Sequence, residues 1–576
     1  MTNKQKKELA QKRHIVFNSS PLQNLKEMLC RANEYFGENI AVTEKKNGEV
    51  VSYTLGEIKA KIEAVGTALL DMGYKGKHIA IIGENSCDWI VSFFAITCGV
   101  GVAVPLDKEL ADETLSELMT KADCEAAFCS KTYLRTIKAH FANDENFKNA
   151  FCWNKASKDE RILTVDDLAE RGRELIKLGN RDYINAQIDR EAMTAIFFTS
   201  GTTGKNKGVM LSHKNFVTNV EGVLRVIAPE YTSFSLLPMN HVFELSCNIL
   251  CALYMNAVIY INDSLRNILP NIQLFKPDAM NAVPLVLEGI YNGIWAAAKE
   301  KGLDKQLRKL VSISNSLRSH GIDLRHILFA TVRKNFGDKF PTLVCGGAPS
   351  RGDYVSGLGD LGFKVYNGYG LTESSPTVTL NMAADKDPTS AGFCLSTTEY
   401  KIVDPDKDGI GEIYIRGENV TKGYYKDEEA TKASFEDGWF KTGDYGKEEN
   451  NHELFVIGRK KNLIILDNGK NIFPEDIEFA VMDKIDYIKD AVAIEKLKVI
   501  AGKEEKILAV VLQIDENDFP EMSLAEIEKQ VRADVADVNR TLPSYKKIQD
   551  VIISTEEFEK NSTRKVIRSK IIEKYS

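Results

Sequence analysis

The residues with the clearest chemical content lie in "TSGTTGKNKGVMLSH", from Thr199 to His213, directly after the apolar run "AIFF". A strand that delivers Gly, Ser and Thr into a loop before a helix gathers backbone N–H groups, hydroxyls and lysine ammoniums in one place. Such a set binds anions, phosphate first among them. The run does not match G-x-x-x-x-G-K-[ST], because Gly201 and Gly204 stand too close and Lys205 is followed by Asn206, which disfavours a Walker-type ATPase. Taken alone, the loop reads nearly as well as a structural Gly/Thr turn. The ten cysteines are scattered, and the closer pairs, Cys124/Cys129 and Cys247/Cys251, lack the spacing of a zinc site. Buried or half-buried thiols in a reducing compartment are the expectation.

The elements that must hold this loop follow from the apolar patterning. A chain of 576 residues exceeds the roughly 250–300 that one hydrophobic core serves, so at least two domains are expected. Over the first 380 or so residues, short apolar runs alternate with helical stretches: "HIAII" before "CDWIVSFFAIT", "AIFFTS" before "HKNFVTNVEGVLRVI", "FSLLP" before "ELSCNILCALYMN". This alternation predicts an α/β fold of doubly wound subdomains with parallel sheets. From about Tyr400, "EYKIV", "GEIYIRG" and "ELFVIG" predict an antiparallel β unit. After Arg459, two strands and the helix "SLAEIEKQVRADVADVN" predict a small α+β domain. A division into residues 1–460 and 461–576 is expected. The 18 uncharged residues of "WIVSFFAITCGVGVAVPL" approach the length of a membrane span. Gly99 and Gly101 split them into a buried helix and a strand. No signal peptide is visible, and a net charge of −7 argues against nucleic acid as a partner. The basic start, "MTNKQKKELAQKRH", reads as a solvated end; weak peripheral contact with an anionic membrane surface is the alternative. A cytoplasmic location is the expectation.

The loop does not stand alone. "TSGTTGKNKGVMLSH" resembles the phosphate-binding signature of the adenylate-forming superfamily of acyl-CoA synthetases, peptide-synthetase adenylation domains and luciferases. The family's other motifs follow in order: "LPMNHVFE" (237–244), "GGAP" (346–349), "YNGYGLTE" (366–373), "KTGD" (441–444), "GRKKNLIILDNGKNIFPEDIE" (458–478) and "STRKVIR" (562–568). "PDAMNAVPLVLEGIY" (277–291), followed by about 50 helix-rich residues before "TLVCGGAPS", resembles the long-chain fatty acyl-CoA synthetase branch.

That resemblance implies ATP, Mg²⁺ and CoA as cofactors and co-substrate, a fatty acid as substrate, and a reaction through an acyl-adenylate. It assigns Thr199, Ser200, Gly201, Thr202, Thr203, Gly204 and Lys207 to the triphosphate, and Glu373 to Mg²⁺, a cation that favours hard oxygen donors. Thr372 would contact the α-phosphate, within the "GYGLTE" run that includes Gly370. Gly346, Gly347 and Ala348 would wall the adenine pocket, with Tyr369 stacking on the base. Asp444 would accept from the ribose hydroxyls, with Arg459 as a donor beside it. Lys565 would neutralise charge between the carboxylate and the α-phosphate, and Lys461 would be the hinge about which the small domain turns to present Gly469 and Lys470 for thioester formation. His241 would lie at the acyl pocket and thiol entry. The chain departs from the family at Asn206, where proline is usual, at Arg564, where glycine is usual, and at "EKNS" in place of Pro-Lys-Thr. An acyl-AMP ligase, an acyl-carrier-protein synthetase, an aryl or bile acid ligase and a non-catalytic adenylate-binding protein remain the alternatives. Oligomeric state is open.

Overall fold

The computed structural model describes residues 3–576 apart from 155–156, 201–205, 228–229, 338–339, 383–386, 450–451, 467–470, 501–502 and 561–565. The chain parts into two compact units. The first comprises 1–401, 414–441 and 450–454; the second comprises 402–413, 442–449 and 455–576.

Two sheets organise the first unit. One has seven strands in the order Ile162–Thr164, Asn149–Cys152, Cys124–Cys129, His78–Ile82, Val102–Pro105, Met193–Ser200 and Asn206–Ser212. Its pairs are parallel except the last, Met193–Ser200 with Asn206–Ser212. The other has nine strands. Six consecutive neighbours in space, Lys364–Gly370, Thr342–Cys345, Ala279–Ala282, Thr232–Ser235, Val258–Ile261 and Ile40–Lys46, are parallel, with antiparallel strands added at both ends. Strand His78–Ile82 reads as an apolar run because both of its faces are covered; Ile79 to Ile82 are all fully buried.

The apolar stretch after Trp89 resolves as expected. Helix Cys87–Thr97 is capped by Ser86, whose side chain accepts from Trp89 N, and it is buried on every side, as a helix apolar all round must be. Gly99 takes φ +153, and a Cβ on Gly101 would lie 2.0 Å from the Lys77 carbonyl oxygen. The glycines therefore turn the chain into strand Val102–Pro105. Among the described residues no helix is long and apolar enough to cross a membrane.

Two expectations are corrected. The basic start is solvated only in part: Asn3–Phe17 is a helix whose four lysines are exposed, while Leu9, Arg13 and Val16 are buried. Arg13 donates from Nε to Met255 O (2.6 Å) and from Nη2 to Glu230 O and Asn256 O (3.0 and 3.1 Å), so its guanidinium satisfies the two carbonyls left over where helix Cys251–Met255 ends, together with one that precedes strand Thr232–Ser235. The second correction concerns the hydroxyl-rich loop. It leads not into a helix but into strand Asn206–Ser212, paired back on Met193–Ser200 from Met193↔Ser212 to Ser200↔Asn206. Helix His213–Val226 begins only after that strand. The apolar run Val209–Met210–Leu211 is too short to mark a strand by itself behind Asn206, Lys207 and Gly208.

The alternating strands after Tyr400 are present as Thr398–Val403, Gly411–Gly417, Trp439–Glu449 and Glu453–Arg459. The second unit is an α+β body. Asp490–Ile500 pairs antiparallel with Lys503–Gln513, which pairs parallel with Asp550–Ser554. Helix Leu524–Thr541 starts with a Ser523/Glu526 capping box and buries Ile527, Val531, Val535 and Val538, one stripe at helical spacing. Each such burial contributes about 1.5–3 kcal/mol. Val492, Ile494, Ala509 and Val511 pack on the other face with Phe558 and Ile571. Of the ten cysteines, seven are buried, two are half-buried and Cys30 is exposed; all are free thiols.

Candidate functional site

In the first unit the motifs cluster at the carboxyl ends of parallel strands, where open α/β sheets offer a crevice. Strand Thr232–Ser235 runs into 237–244, Thr342–Cys345 into Gly346–Ala348, and Lys364–Gly370 into Thr372 and Glu373. A Cβ on Gly346 would sit 3.3 Å from Phe243 Cζ and 3.5 Å from Gly368 O, so the missing side chain lets three motifs close up. Gly347 is exposed at φ +85. A Cβ on Gly370 would overlap Pro376 O at 1.8 Å. Only glycine allows the turn there, and Leu371 N then donates to Pro376 O at 3.0 Å. Tyr369, partly exposed, pairs with Thr379 across the adjoining strand.

Thr372–Ser374 forms a single 3-10 turn. Fully buried Asn419 fixes it by donating to Ser374 O and Thr377 O (2.8 and 2.9 Å). The segment 421–426 then ties this turn to the phosphate hairpin. Thr421 N donates to Glu373 O at 2.7 Å, Met210 N to Gly423 O at 3.0 Å and Tyr425 N to Gly208 O at 2.7 Å. Tyr424 bridges the functional groups themselves: its hydroxyl donates to Glu373 Oε1 at 2.9 Å, and the Lys207 ammonium lies 4.8 Å over its ring. Burial, then the neighbouring Glu373 carboxylate, pushes the Tyr424 hydroxyl well above its ordinary pKa, so it stays a donor. A carboxylate and a lysine are thus brought to one tyrosine, beside the strand pair Thr199↔Lys207. Among the described residues no three His, Cys, Asp or Glu cluster to hold a metal. A lone carboxylate such as Glu373 matches Mg²⁺, an ion that takes its remaining ligands from phosphate and water.

His241 opens the helical turn Val242–Glu244; its N–H donates to Pro238 O at 3.1 Å. Asn85 braces the approach, donating to Leu237 O (2.7 Å) and accepting from Met239 N (2.9 Å). Glu244 ends the motif fully buried, with Asn248 Nδ2 donating to Oε1 at 2.8 Å and Ser235 and Asn281 as weaker polar neighbours. Loss of solvent pushes its carboxyl up to about 8, against the opposing pull of Ser235, Asn248 and Asn281. A π-helical turn, Leu245–Leu250, follows directly, a feature often found at functional sites.

In the second unit, Asp444 is buried in strand Trp439–Glu449, and Arg459 Nε lies 2.7 Å from its Oδ1. Gly443 takes φ +68, and Asp444 N donates to Thr442 Oγ1 at 3.0 Å, which aims the carboxylate. Lys460 pairs with Glu412 at 2.5 Å. Lys461 lies in the turn Lys460–Asn462; burial, then Arg459 and Arg568, lower its ammonium pKa.

A family model described as AMP-binding enzyme matches residues 30–425, and its companion, the AMP-binding enzyme C-terminal domain, matches 461–576. The chain belongs to the AMP-binding enzyme family. Among curated relatives of this AMP-binding enzyme are Fatty acyl-CoA synthetase B of Dictyostelium discoideum, 28% identical over 81% of the chain and 74% of the relative, and Long-chain-fatty-acid–CoA ligase 5 of Rattus norvegicus, 28% identical over 77% and 70%. The adenylation domain of a carboxylate reductase from Mycobacterium chelonae has the same fold, with a TM-score of 0.77 at 19% identity over 100% of this chain and 96% of that one. The resemblance read from the motifs, to adenylate-forming enzymes of the long-chain fatty acid–CoA ligase kind, holds.

For this AMP-binding enzyme, the structure brings Lys207 and Glu373 together through Tyr424, joins Gly346 to the 237–244 motif through Phe243, and pairs Asp444 with Arg459. Gly201, Thr202, Thr203, Gly204, Gly469, Lys470 and Lys565 lie outside the described residues, as do Arg564 and part of the "EKNS" run. Sequence reading missed Tyr424, Asn419 and Glu244. The glycine before Tyr424, at φ +136, is the signal that could have marked a fixed turn there; nothing local marks Asn419.

Proposed function

We propose that the protein activates a long-chain fatty acid with ATP and transfers it to CoA, giving acyl-CoA, AMP and pyrophosphate. The observation that carries the reading is the Glu373–Tyr424–Lys207 arrangement, an acid and a base held where the motif order expects a nucleotide triphosphate. The names of the curated relatives support the fatty-acid part of it. In the first half-reaction a carboxylate oxygen of the acid bonds to the α-phosphorus as the bond to pyrophosphate breaks. Lys207, with the hydroxyls and amides of Thr199 to Gly204, holds the departing phosphates, and charge-assisted hydrogen bonds suit that task. Mg²⁺ bound at Glu373 would neutralise phosphate charge. Lys565 stabilises charge as phosphorus becomes five-coordinate, a contribution selective for the transition state. Gly346, Gly347, Ala348 and Tyr369 receive the adenine, Thr372 the α-phosphate, and Asp444 with Arg459 the ribose. In the second half-reaction the thiolate of CoA attacks the acyl carbon and AMP leaves with its oxygen; the thiol proton passes to solvent. His241 lines the thiol entry. The chain divides at 460/461, with Lys461 as the hinge that lets the C-terminal part serve the two halves in turn, Gly469 and Lys470 in the second.

The test is AMP release with palmitate, with and without CoA, and identification of the thioester. Acid-dependent AMP release that CoA accelerates, with palmitoyl-CoA as product, is expected. If CoA neither accelerates turnover nor enters the product, the ligase reading gives way to an acyl-AMP ligase; if shorter or aromatic acids react and palmitate does not, the long-chain assignment fails.

A further inference from the structure

The hairpin that presents the phosphate loop ends its sheet, so the outward-facing backbone groups of Asn206, Gly208 and Met210 have no neighbouring strand within the seven. The segment 421–425 meets two of these three residues: Thr421 Oγ1 donates to Met210 O at 2.6 Å, Met210 N to Gly423 O, and Tyr425 N to Gly208 O. The residue nearest the loop is met differently. Lys121 Nζ donates to Asn206 O at 2.6 Å. Lys121 is the last residue of helix Asp112–Lys121, and among the described residues its ammonium is in no ion pair, so the carbonyl is its partner. The turn that carries it is pinned in turn. Asp123, at φ +52, accepts from Tyr425 Oη at 2.6 Å and Lys426 Nζ at 2.6 Å.

We propose that Lys121 is a positioning residue for ATP: by holding the Asn206 carbonyl it fixes the end of the hairpin from which Lys207 and the phosphate loop project. This rests on the nucleotide reading above. Asn206 pairs with Ser200 across the hairpin, so a shift at Asn206 moves both ends of the phosphate-binding segment. An ammonium on a carbonyl is a charge-assisted bond, stronger than a neutral one, and it acts where the backbone otherwise has only the φ freedom of asparagine.

The experiment measures the Kd of a non-hydrolysable ATP analogue by calorimetry, together with fatty-acid-dependent ATP–pyrophosphate exchange, for wild type, Lys121→Met, Lys121→Arg and Asn206→Pro alone and with Lys121→Met. Lys121→Met is expected to raise the analogue Kd and the KM for ATP about tenfold, the loss of one charge-assisted hydrogen bond, with kcat within about twofold. Conversion of preformed acyl-adenylate with CoA should be unchanged, and Lys121→Arg should restore most of the affinity. Proline fixes φ covalently and is tolerated at the first residue of a strand, so Lys121→Met should have little effect in the Asn206→Pro background. An analogue Kd unmoved by Lys121→Met overturns the proposal, as does a fall in kcat with KM for ATP unchanged. Because the analogue binds without an acid, failure of the ligase reading shows separately, as no exchange by wild type with any acid.

Discussion

Replacing Glu244 by glutamine tests whether a carboxyl is kept neutral beneath the 237–244 motif. Glu244 is fully buried, Asn248 donates to one oxygen, and Ser235 and Asn281 are its further polar neighbours. Burial raises the carboxyl from an ordinary 4.5 to about 8. Between those values the native state holds one proton more than the unfolded chain, so raising the pH favours unfolding. Below about 4.5 both states are protonated and the contribution is complete; above about 8 both are ionised and nothing further is lost. The slope is about 1.4 kcal/mol per pH unit, so wild type should lose on the order of 3 kcal/mol between about pH 5.5 and 8 through this group. Glutamine keeps the acceptor for Asn248 and never ionises. It replaces one acceptor oxygen by an amide NH2 beside the donors of Ser235 and Asn281, a penalty of about 1–3 kcal/mol that does not depend on pH. All four tryptophans lie in the first unit, so urea unfolding followed by tryptophan fluorescence reports that unit. The expected result is a gap between Glu244→Gln and wild type that shifts in favour of the variant with rising pH and levels off above about 8. A constant offset from pH 5.5 to 9 would refute the reasoning, because it would mean that the carboxylate is ionised throughout or finds charge compensation as it ionises.

Three further outcomes are expected. Tyr424→Phe removes the bond to Glu373 and keeps the ring under Lys207, so pyrophosphate exchange should fall about tenfold; Tyr424→Leu should fall further, and equal losses would show that the hydroxyl alone matters. Gly370→Ala must displace the Pro376 carbonyl, which should lower the stability of the first unit by about 1–3 kcal/mol in the same fluorescence assay and reduce exchange more than tenfold; unchanged unfolding would contradict the overlap. Lys565→Ala should suppress exchange while sparing thioester formation from preformed acyl-adenylate, and equal loss in both assays would remove the division of labour.

Much of the fold was legible because its signals are local. Gly99 and Gly101 announced the break between a buried helix and a strand, and Ser523, Glu526 and the Ile527–Val538 stripe announced a helix from cap to core. The hairpin at Asn206–Ser212 was not legible, since Gly208, Lys207 and Asn206 are poor strand formers and the strand is held on its outer edge by residues far along the chain, Gly423 and Tyr425, as well as by its hairpin partner Met193–Ser200. Arg13 reads as a solvated charge until the carbonyls at residues 230, 255 and 256 converge on it. The candidate site divides the same way. Glycines 346 and 370 belong to recognisable motifs, whereas Tyr424 and Asn419 act through contacts about 45 to 50 residues distant, and Glu244 is ordinary in sequence and unusual only in being buried.

The segment 421–426 has a consequence beyond nucleotide chemistry. A strand at the rim of a sheet offers a row of open donors and acceptors that another polypeptide can join, a common route to misassembly. Here the rim strand is Asn206–Ser212, and its outward bonds are taken by Thr421, Gly423 and Tyr425, with Val209 bridged to Tyr424. The same segment that brings Glu373 and Lys207 to one tyrosine therefore keeps the sheet from recruiting a second chain. Damage to that segment would first show as self-association of otherwise folded protein, and the colloidal behaviour of the molecule becomes a readout of the integrity of its site.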